Sequence, residues 1–167
     1  MTVIGITGPT GAGKTTALNE LVKLGGRIYD ADAVYHELLK SNKALRDELE
    51  NRFGPLTDER GEFQRKKLGA IVFADPAALA DLNAIAHRYV VEAIRKALEQ
   101  AKADGVPCAA IDAIALFESG LDRLCHATLA ITAPPEIRVR RIMAREGISE
   151  EYARSRVKAQ HTDDFFT

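Results

Sequence analysis

The chain has 167 residues, 46 % of them hydrophobic and 28 % charged, with a formal net charge of −1. This fits one globular domain with room for small inserted lobes, and the absence of a positive excess argues against a nucleic-acid footprint. No stretch approaches the ~18 apolar residues of a membrane span. The two cysteines, Cys108 and Cys125, form no C-x-x-C pair and point to reduced thiols in a cytoplasmic protein, not to a zinc or redox site.

The chain enters a strand at once, with no basic leader, so no signal peptide is expected. Thr2-Val3-Ile4-Gly5-Ile6-Thr7 is β-branched and largely apolar, the pattern of a buried parallel strand. Gly8-Pro9-Thr10-Gly11-Ala12-Gly13-Lys14-Thr15 then fits G-x-x-x-x-G-K-S/T at every fixed position. Glycines let the backbone curl until several N–H groups converge on phosphate oxygens. The Lys14 ammonium reaches β- and γ-phosphates, and the Thr15 hydroxyl suits Mg²⁺. From Lys14 to Leu24, Leu18, Leu21 and Val22 recur at helical spacing before Gly25-Gly26, and this helix aims its positive end at the same anion. Strand, loop and helix stand in the order that binding a nucleoside triphosphate requires.

Arg27-Ile28-Tyr29 reads as a second strand running into Asp30-Ala31-Asp32. An extended backbone places Asp30 and Asp32 on one side, with Ala31 opposite. Ala33 to Gly54 is helical, a turn region follows to Arg65, and a short helix lies around Lys67 to Phe73. Asp75 and Pro76 open a long helix, which keeps Leu79, Leu82, Ile85, Val90, Ile94 and Leu98 on one side and ends near Asp104-Gly105. Val106–Asp112 and Ala127–Thr132 read as further strands, both apolar and buried in character. Pro134-Pro135 opens a helix over Glu136–Arg145, Gly147 interrupts it, and Ser149 caps a last helix running to about Gln160. Strands separated by helices imply a parallel sheet covered on both faces. The helical stretch between strands two and three is too long for a plain crossover and implies a second lobe.

The loop by itself serves GTPases, ATP-driven machines and small-molecule kinases alike. Asp30 and Asp32 sit at the carboxyl end of a strand, where open α/β sheets place their ligands. A carboxylate there accepts a proton from an attacking hydroxyl or holds Mg²⁺; the structural alternative is a helix cap. Arg138, Arg141 and Arg145 recur at i, i+3, i+7, opposite Val139, Ile142 and Met143. Such a stripe over a phosphate site neutralises developing charge, while the alternative is a solvated face paired with Glu136 and Glu146. Of the three, Arg141 and Arg145 are the stronger candidates. Asp112 ends an apolar strand where Mg²⁺ is positioned in such proteins. His36, His87, His126 and His161 show no metal-ligand spacing. A GTPase-type switch is disfavoured. Asp58-Glu59-Arg60-Gly61 fits D-x-x-G but follows no buried strand, and no N-K-x-D motif occurs.

Taken in order, these features resemble the dephospho-coenzyme A kinases, from Ile4 to Gln160. The loop from Thr7 to Thr16 matches the family's opening, and Asp30-Ala31-Asp32 its D-A-D motif. Phe53-Gly54, Gly61 to Arg65, Leu68 and Val72-Phe73 follow its F-G…G…R…L…V-F run. Leu82 to His87 matches L-x-x-I-x-H, and Leu116 to Gly120 matches L-F-E-S-G. Arg141, Arg145 and Gln160 match the lid motif R-x-x-x-R…Q. The departures are Arg88 and Ile114, where the family has prolines, and Ala115, where it has leucine. Family members also continue past the glutamine with a strand, an Asn-containing loop near the adenine and a last helix, whereas this chain stops at Thr167; against the resemblance, either the chain is shortened or its adenine site is incomplete.

The resemblance implies an α/β fold: a three-layer P-loop core with a parallel sheet (1–32 and 105–135), a helical acceptor lobe (33–104), a short helical lid (136–160) and the start of a C-terminal segment (161–167). It implies transfer of the ATP γ-phosphate to the ribose 3′-hydroxyl of dephospho-CoA, the last step of coenzyme A biosynthesis. Other small-molecule or nucleotide kinases are the alternative. Gly11, Ala12, Gly13, Lys14, Thr15 and Thr16 bind ATP in this picture, and Thr15 binds Mg²⁺. Asp32 is the base, and Lys14, Arg141 and Arg145 stabilise charge. The lobe, with Arg65 and His87, holds the acceptor's phosphates and pantetheine arm. The expected partner is the small-molecule substrate alone, in a cytoplasmic monomer or weak homo-oligomer.

Overall fold

The computed structural model describes residues 1–160; the expectations for 161–167, His161 among them, lie outside the described residues. The elements run β1 (Thr2–Thr7), α1 (Lys14–Lys23), β2 (Arg27–Asp30), α2 (Ala31–Ser41), α3 (Lys43–Phe53), α4 (Arg65–Ala74) and α5 (Pro76–Ala103). There follow β3 (Cys108–Asp112), a 3-10 turn (Leu121–Leu124), β4 (Ala127–Ala130), α6 (Pro135–Glu146) and α7 (Glu150–Lys158).

Among the described residues the strands form one parallel sheet in the order β2-β3-β1-β4. Its three layers follow from the two-residue alternation of strand side chains. Ile4, Ile6, Ile28, Cys108 and Ala110 pack on one face with Leu18 and Leu21 of α1. Val3, Tyr29, Ala109 and Ile111 pack on the other with Val90, Ile94 and Leu98 of α5. Burial on both sides is why these strands read as near-continuous apolar runs. The outer strand β4 departs from that expectation, since Leu129 is 47 % exposed. Among the described residues it pairs only with β1, and the α1 and α5 clusters lie over the other three strands.

Helices α2 to α5 build a second cluster around Leu39, Leu45, Leu49, Leu56, Leu68, Val72 and Ala78. The helical stretch after Ala33 is broken at Asn42. Its side chain accepts from the Leu45 N–H at 3.0 Å, while its own N–H donates to the Leu38 carbonyl. One residue thus ends α2 and caps α3. Helix α5 starts as the sequence predicts, the Asp75 carboxylate accepting from the Ala77 N–H at 2.9 Å with Pro76 at its first position. Tyr35 and Leu38 touch both clusters.

Candidate functional site

The glycine-rich loop spans the carboxyl end of β1 and the start of α1. Gly11 has φ +80, and a Cβ there would lie 2.9 Å from the Arg138 carbonyl oxygen. Loop and α6 backbones therefore approach more closely than any side chain permits. The Lys14 ammonium donates to the Gly8 carbonyl at 2.7 Å. Burial pulls its pKa down, opposed by the charges of Asp112 and Asp32.

Around this loop lies a cavity of about 310 Å³, lined by Thr10, Gly11, Gly13, Lys14, Thr15, Asp30, Asp32, Asp112, Arg141 and Arg145 among others. The predicted residues from three strand ends, the loop and α6 therefore converge on one crevice, at the carboxyl end of the sheet. Ala12 is buried in the loop backbone, and Thr16 follows on α1, exposed and outside the cavity lining.

The two aspartates reach the crevice differently from the strand alternation expected. β2 ends at Asp30, which caps α2 by accepting from the Ala33 N–H at 3.0 Å. Asp32 stands in the first turn of that helix. The helix-cap alternative is thus right for Asp30, yet both carboxylates still face the cavity. Asp30 lies in register with Asp112 on the neighbouring strand. Burial pushes the Asp112 carboxyl up, with Lys14 opposing.

A second cavity, of about 270 Å³, opens beside the first. Tyr35, Leu82, Asn83, Ala86, His87, Val90, Ser119 and Leu121 line it, and it shares Asp32, Ala113 and Ile114 with the loop cavity. His87 is pulled down in pKa by burial, with the nearby Glu118 opposing. Two of the three unusual positions, Ile114 and Ala115, fall in this wall. Arg88 does not: it pairs with Glu48 on α3, which also accepts from the Tyr89 hydroxyl at 2.9 Å. Arg65 lines neither cavity. It belongs to a third and donates to His36 Nδ1 at 3.1 Å.

Helix α6 presents its arginines unequally. Arg141 donates to the Gly11 and Ala12 carbonyls at 3.1 and 2.9 Å. Arg145 lines the cavity while pairing at the surface with Glu146. Arg138, the weaker candidate, is only 3 % exposed and packs behind the loop. It donates to the Thr10 carbonyl at 3.1 Å and to the Gln160 side-chain oxygen. Gln160 closes the circuit, accepting from the Thr10 N–H at 3.0 Å and donating to its hydroxyl at 2.8 Å. The signal for Arg138 was present in the sequence as the first residue of the i, i+3, i+7 series, but spacing alone does not say which arginine turns inward.

The remaining motifs resolve structurally. Asp58 holds its own turn, accepting from the Arg60 and Glu62 N–H groups and from Gln64, so the D-x-x-G match is a loop brace. His126 accepts from the Val3 N–H through Nδ1 at 3.0 Å. Both cysteines are free, and burial raises the Cys125 thiol to about 11. Among the described residues, no helix is long and apolar enough to cross a membrane.

The family model described as "Dephospho-CoA kinase" matches residues 2–164. A relative of that name from Dehalococcoides mccartyi is 38 % identical over 98 % of this chain and 83 % of its own length. Another, from Corynebacterium diphtheriae, is 35 % identical over 98 % of this chain and 82 % of its own. Among solved structures, TT1252 from Thermus thermophilus superposes with a TM-score of 0.79 at 33 % identity, covering 99 % of this chain and 83 % of that one. A dephospho-CoA kinase from Campylobacter jejuni gives a TM-score of 0.65 at 25 % identity, covering 98 % of this chain and 81 % of its own.

Proposed function

The chain belongs to the dephospho-CoA kinase family, and we propose that its two adjoining cavities hold donor and acceptor, with Asp32 between them. The reaction is the ATP-dependent phosphorylation of dephospho-CoA in coenzyme A biosynthesis. The observation that carries the residue assignment is that the Asp32 carboxylate lines both the loop cavity and the neighbouring apolar one. A base that moves a proton from one substrate as the other is attacked needs that placement.

In this reading the backbone N–H groups from Gly11 to Thr16 and the Lys14 ammonium hold the β- and γ-phosphates of ATP. Asp32 orients the ribose 3′-hydroxyl of the acceptor and takes its proton as the hydroxyl oxygen attacks the γ-phosphorus in line, the bond from that phosphorus to the β–γ bridging oxygen breaks and ADP leaves. Arg141 and Arg145 meet the charge on the transferring phosphoryl oxygens and exclude water, whose attack is the competing hydrolysis. Mg²⁺ fits the donors present: Thr15, Asp30, Asp32 and Asp112 offer only hard oxygens in the loop cavity. That ion takes one or two protein oxygens with phosphate and water. Thr15 would hold it, and when bound it supplies charge neutralisation. His87 and Arg65 contact the acceptor.

The corresponding division is a nucleotide core of 1–32 and 105–135, an acceptor lobe of 33–104 and a lid of 136–160. The separate apolar cluster of α2 to α5 supports the lobe. We place the protein in the cytoplasm, where free thiols such as Cys108 and Cys125 persist.

The test is incubation with ATP, Mg²⁺ and dephospho-CoA, with CoA quantified by mass and Asp32→Asn run in parallel. The wild type is expected to form CoA and the variant to lose about 10²–10⁴ in kcat. An Asp32→Asn enzyme of near wild-type kcat overturns the assignment of the base.

A further inference from the structure

The loop cavity and the apolar cavity share three lining residues, Asp32, Ala113 and Ile114. Ala113 is buried, so among the described residues only Asp32 and Ile114 project at this seam. Ile114 is 46 % exposed, although it stands between Ala113 and a Leu116 with no exposure at all. Its backbone is bolted to β1 from two sides. The Ala113 N–H donates to the Ile6 carbonyl at 3.1 Å, and the buried Thr7 hydroxyl donates to the Ile114 carbonyl at 3.2 Å. Branching at Cβ leaves the side chain few rotamers. It is therefore a fixed apolar projection just past the carboxyl end of β3. The proline usual in the family at this position has a ring tied back to its own nitrogen, and it reaches less far.

The rest of the loop-cavity lining is polar or glycine, apart from Pro9 and Ala113, and both of these are buried. Ile114 is thus the one exposed apolar side chain of that lining among the described residues. Its place beside Asp32 has a chemical consequence. A carboxylate takes a proton from whichever hydroxyl is held between it and the phosphate, and it cannot by itself tell ribose from water. Excluding water has to make that choice. Arg141 and Arg145 line only the loop cavity and carry hydration of their own. Ile114 lines both cavities and offers water no hydrogen bond.

We propose that Ile114 sets the partition of the γ-phosphoryl group between acceptor and water, by filling the seam beside Asp32 with an apolar side chain. The proposal rests on the reading that the two cavities hold ATP and dephospho-CoA. In the reaction it suppresses, a water oxygen bonds to the γ-phosphorus and the bond from that phosphorus to the β–γ bridging oxygen breaks. ADP and inorganic phosphate leave, and the water proton passes to Asp32 as the ribose proton does in transfer. Ile114 is then a specificity-determining residue, acting between two nucleophiles that share one base.

The experiment compares Ile114→Val, Ile114→Thr and Ile114→Ala with the wild type. Valine and threonine are alike in shape and differ by a hydroxyl, so that pair separates exclusion of water from loss of volume. Each protein receives ATP, Mg²⁺ and saturating dephospho-CoA. Inorganic phosphate and CoA are quantified together, and a melting curve is recorded for each variant. The expected result is more phosphate released per CoA formed, least for valine and about tenfold for threonine and alanine. A wild-type ratio in the threonine and alanine variants, or in whichever of them folds, overturns the proposal. So does a change confined to the KM for dephospho-CoA, which would make Ile114 a wall of the acceptor site alone. Failure of the underlying reading has a separate signature: the wild type would form no CoA, or Asp32→Asn would keep its kcat, whatever the Ile114 ratios.

Discussion

The Arg138 guanidinium donates to the Thr10 carbonyl at 3.1 Å from a side chain 3 % exposed, and both residues share Gln160. A charge so deeply placed is tolerated only when its donors are satisfied. Here they are spent partly on the loop that cradles phosphate. Arg138→Ala takes the donor from the Thr10 carbonyl, at roughly 1–3 kcal/mol where that group is shielded from water, while the Gln160 oxygen keeps the Thr10 N–H. Stability in urea should fall accordingly. Because the loop itself is what relaxes, the KM for ATP should rise more than the KM for dephospho-CoA. An unchanged ATP KM in a folded Arg138→Ala enzyme would show that the contact braces the fold alone.

Gly11 and Gly147 both have positive φ, +80 and +65, but only at Gly11 would a Cβ meet anything, the Arg138 carbonyl at 2.9 Å. Alanine at Gly147 pays the left-handed backbone penalty, roughly 1–2 kcal/mol. Alanine at Gly11 adds a backbone clash and pushes loop and α6 apart. Gly11→Ala should therefore lose ATP binding in a direct titration, while Gly147→Ala should melt earlier yet bind ATP nearly normally.

Burial holds the His87 pKa below its ordinary value of about 6.5. A depressed histidine contributes stability that is present above the unfolded value and is lost as pH falls through the folded one. Between about pH 7 and about pH 5 the wild type should lose more stability than His87→Gln, measured by denaturant midpoint. Equal losses in the two proteins would mean that His87 is not shielded from water.

Much of this molecule is legible from its residues. The phosphate loop, the α5 start at Asp75-Pro76 and the α7 cap at Ser149, which accepts from the Tyr152 N–H, all rest on local chemistry that a few neighbouring residues decide. What resisted reading depends on distant partners. Asp30 to Asp32 looked like strand because the apolar run before it was strand. The turn into α2 is set by the cap bond to Ala33, which competes with extension only once Ala31 onward can form a helix. Arg138 looked like its exposed neighbours because burial comes from the loop it packs against, 128 residues earlier. Likewise β4 has the composition of an inner strand, and only the sheet order puts it at the outside among the described residues. Arg65 was found by motif, but its separation from His87 into a different cavity follows from how α2 and α4 meet.

Helix α5, 28 residues long and thus about 42 Å, packs Ala78 into the lobe cluster and Val90, Ile94 and Leu98 beneath the sheet. It contains no glycine, and its one proline is at the start, so it has none of the usual causes of a hinge. Lobe and sheet are therefore mounted on a common strut, one unbroken helix shared by both clusters. On the other side of the crevice Gly147 joins two short helices instead. The apolar cavity thus borders the crevice from a braced body, and the arginines of α6 border it from a segmented one.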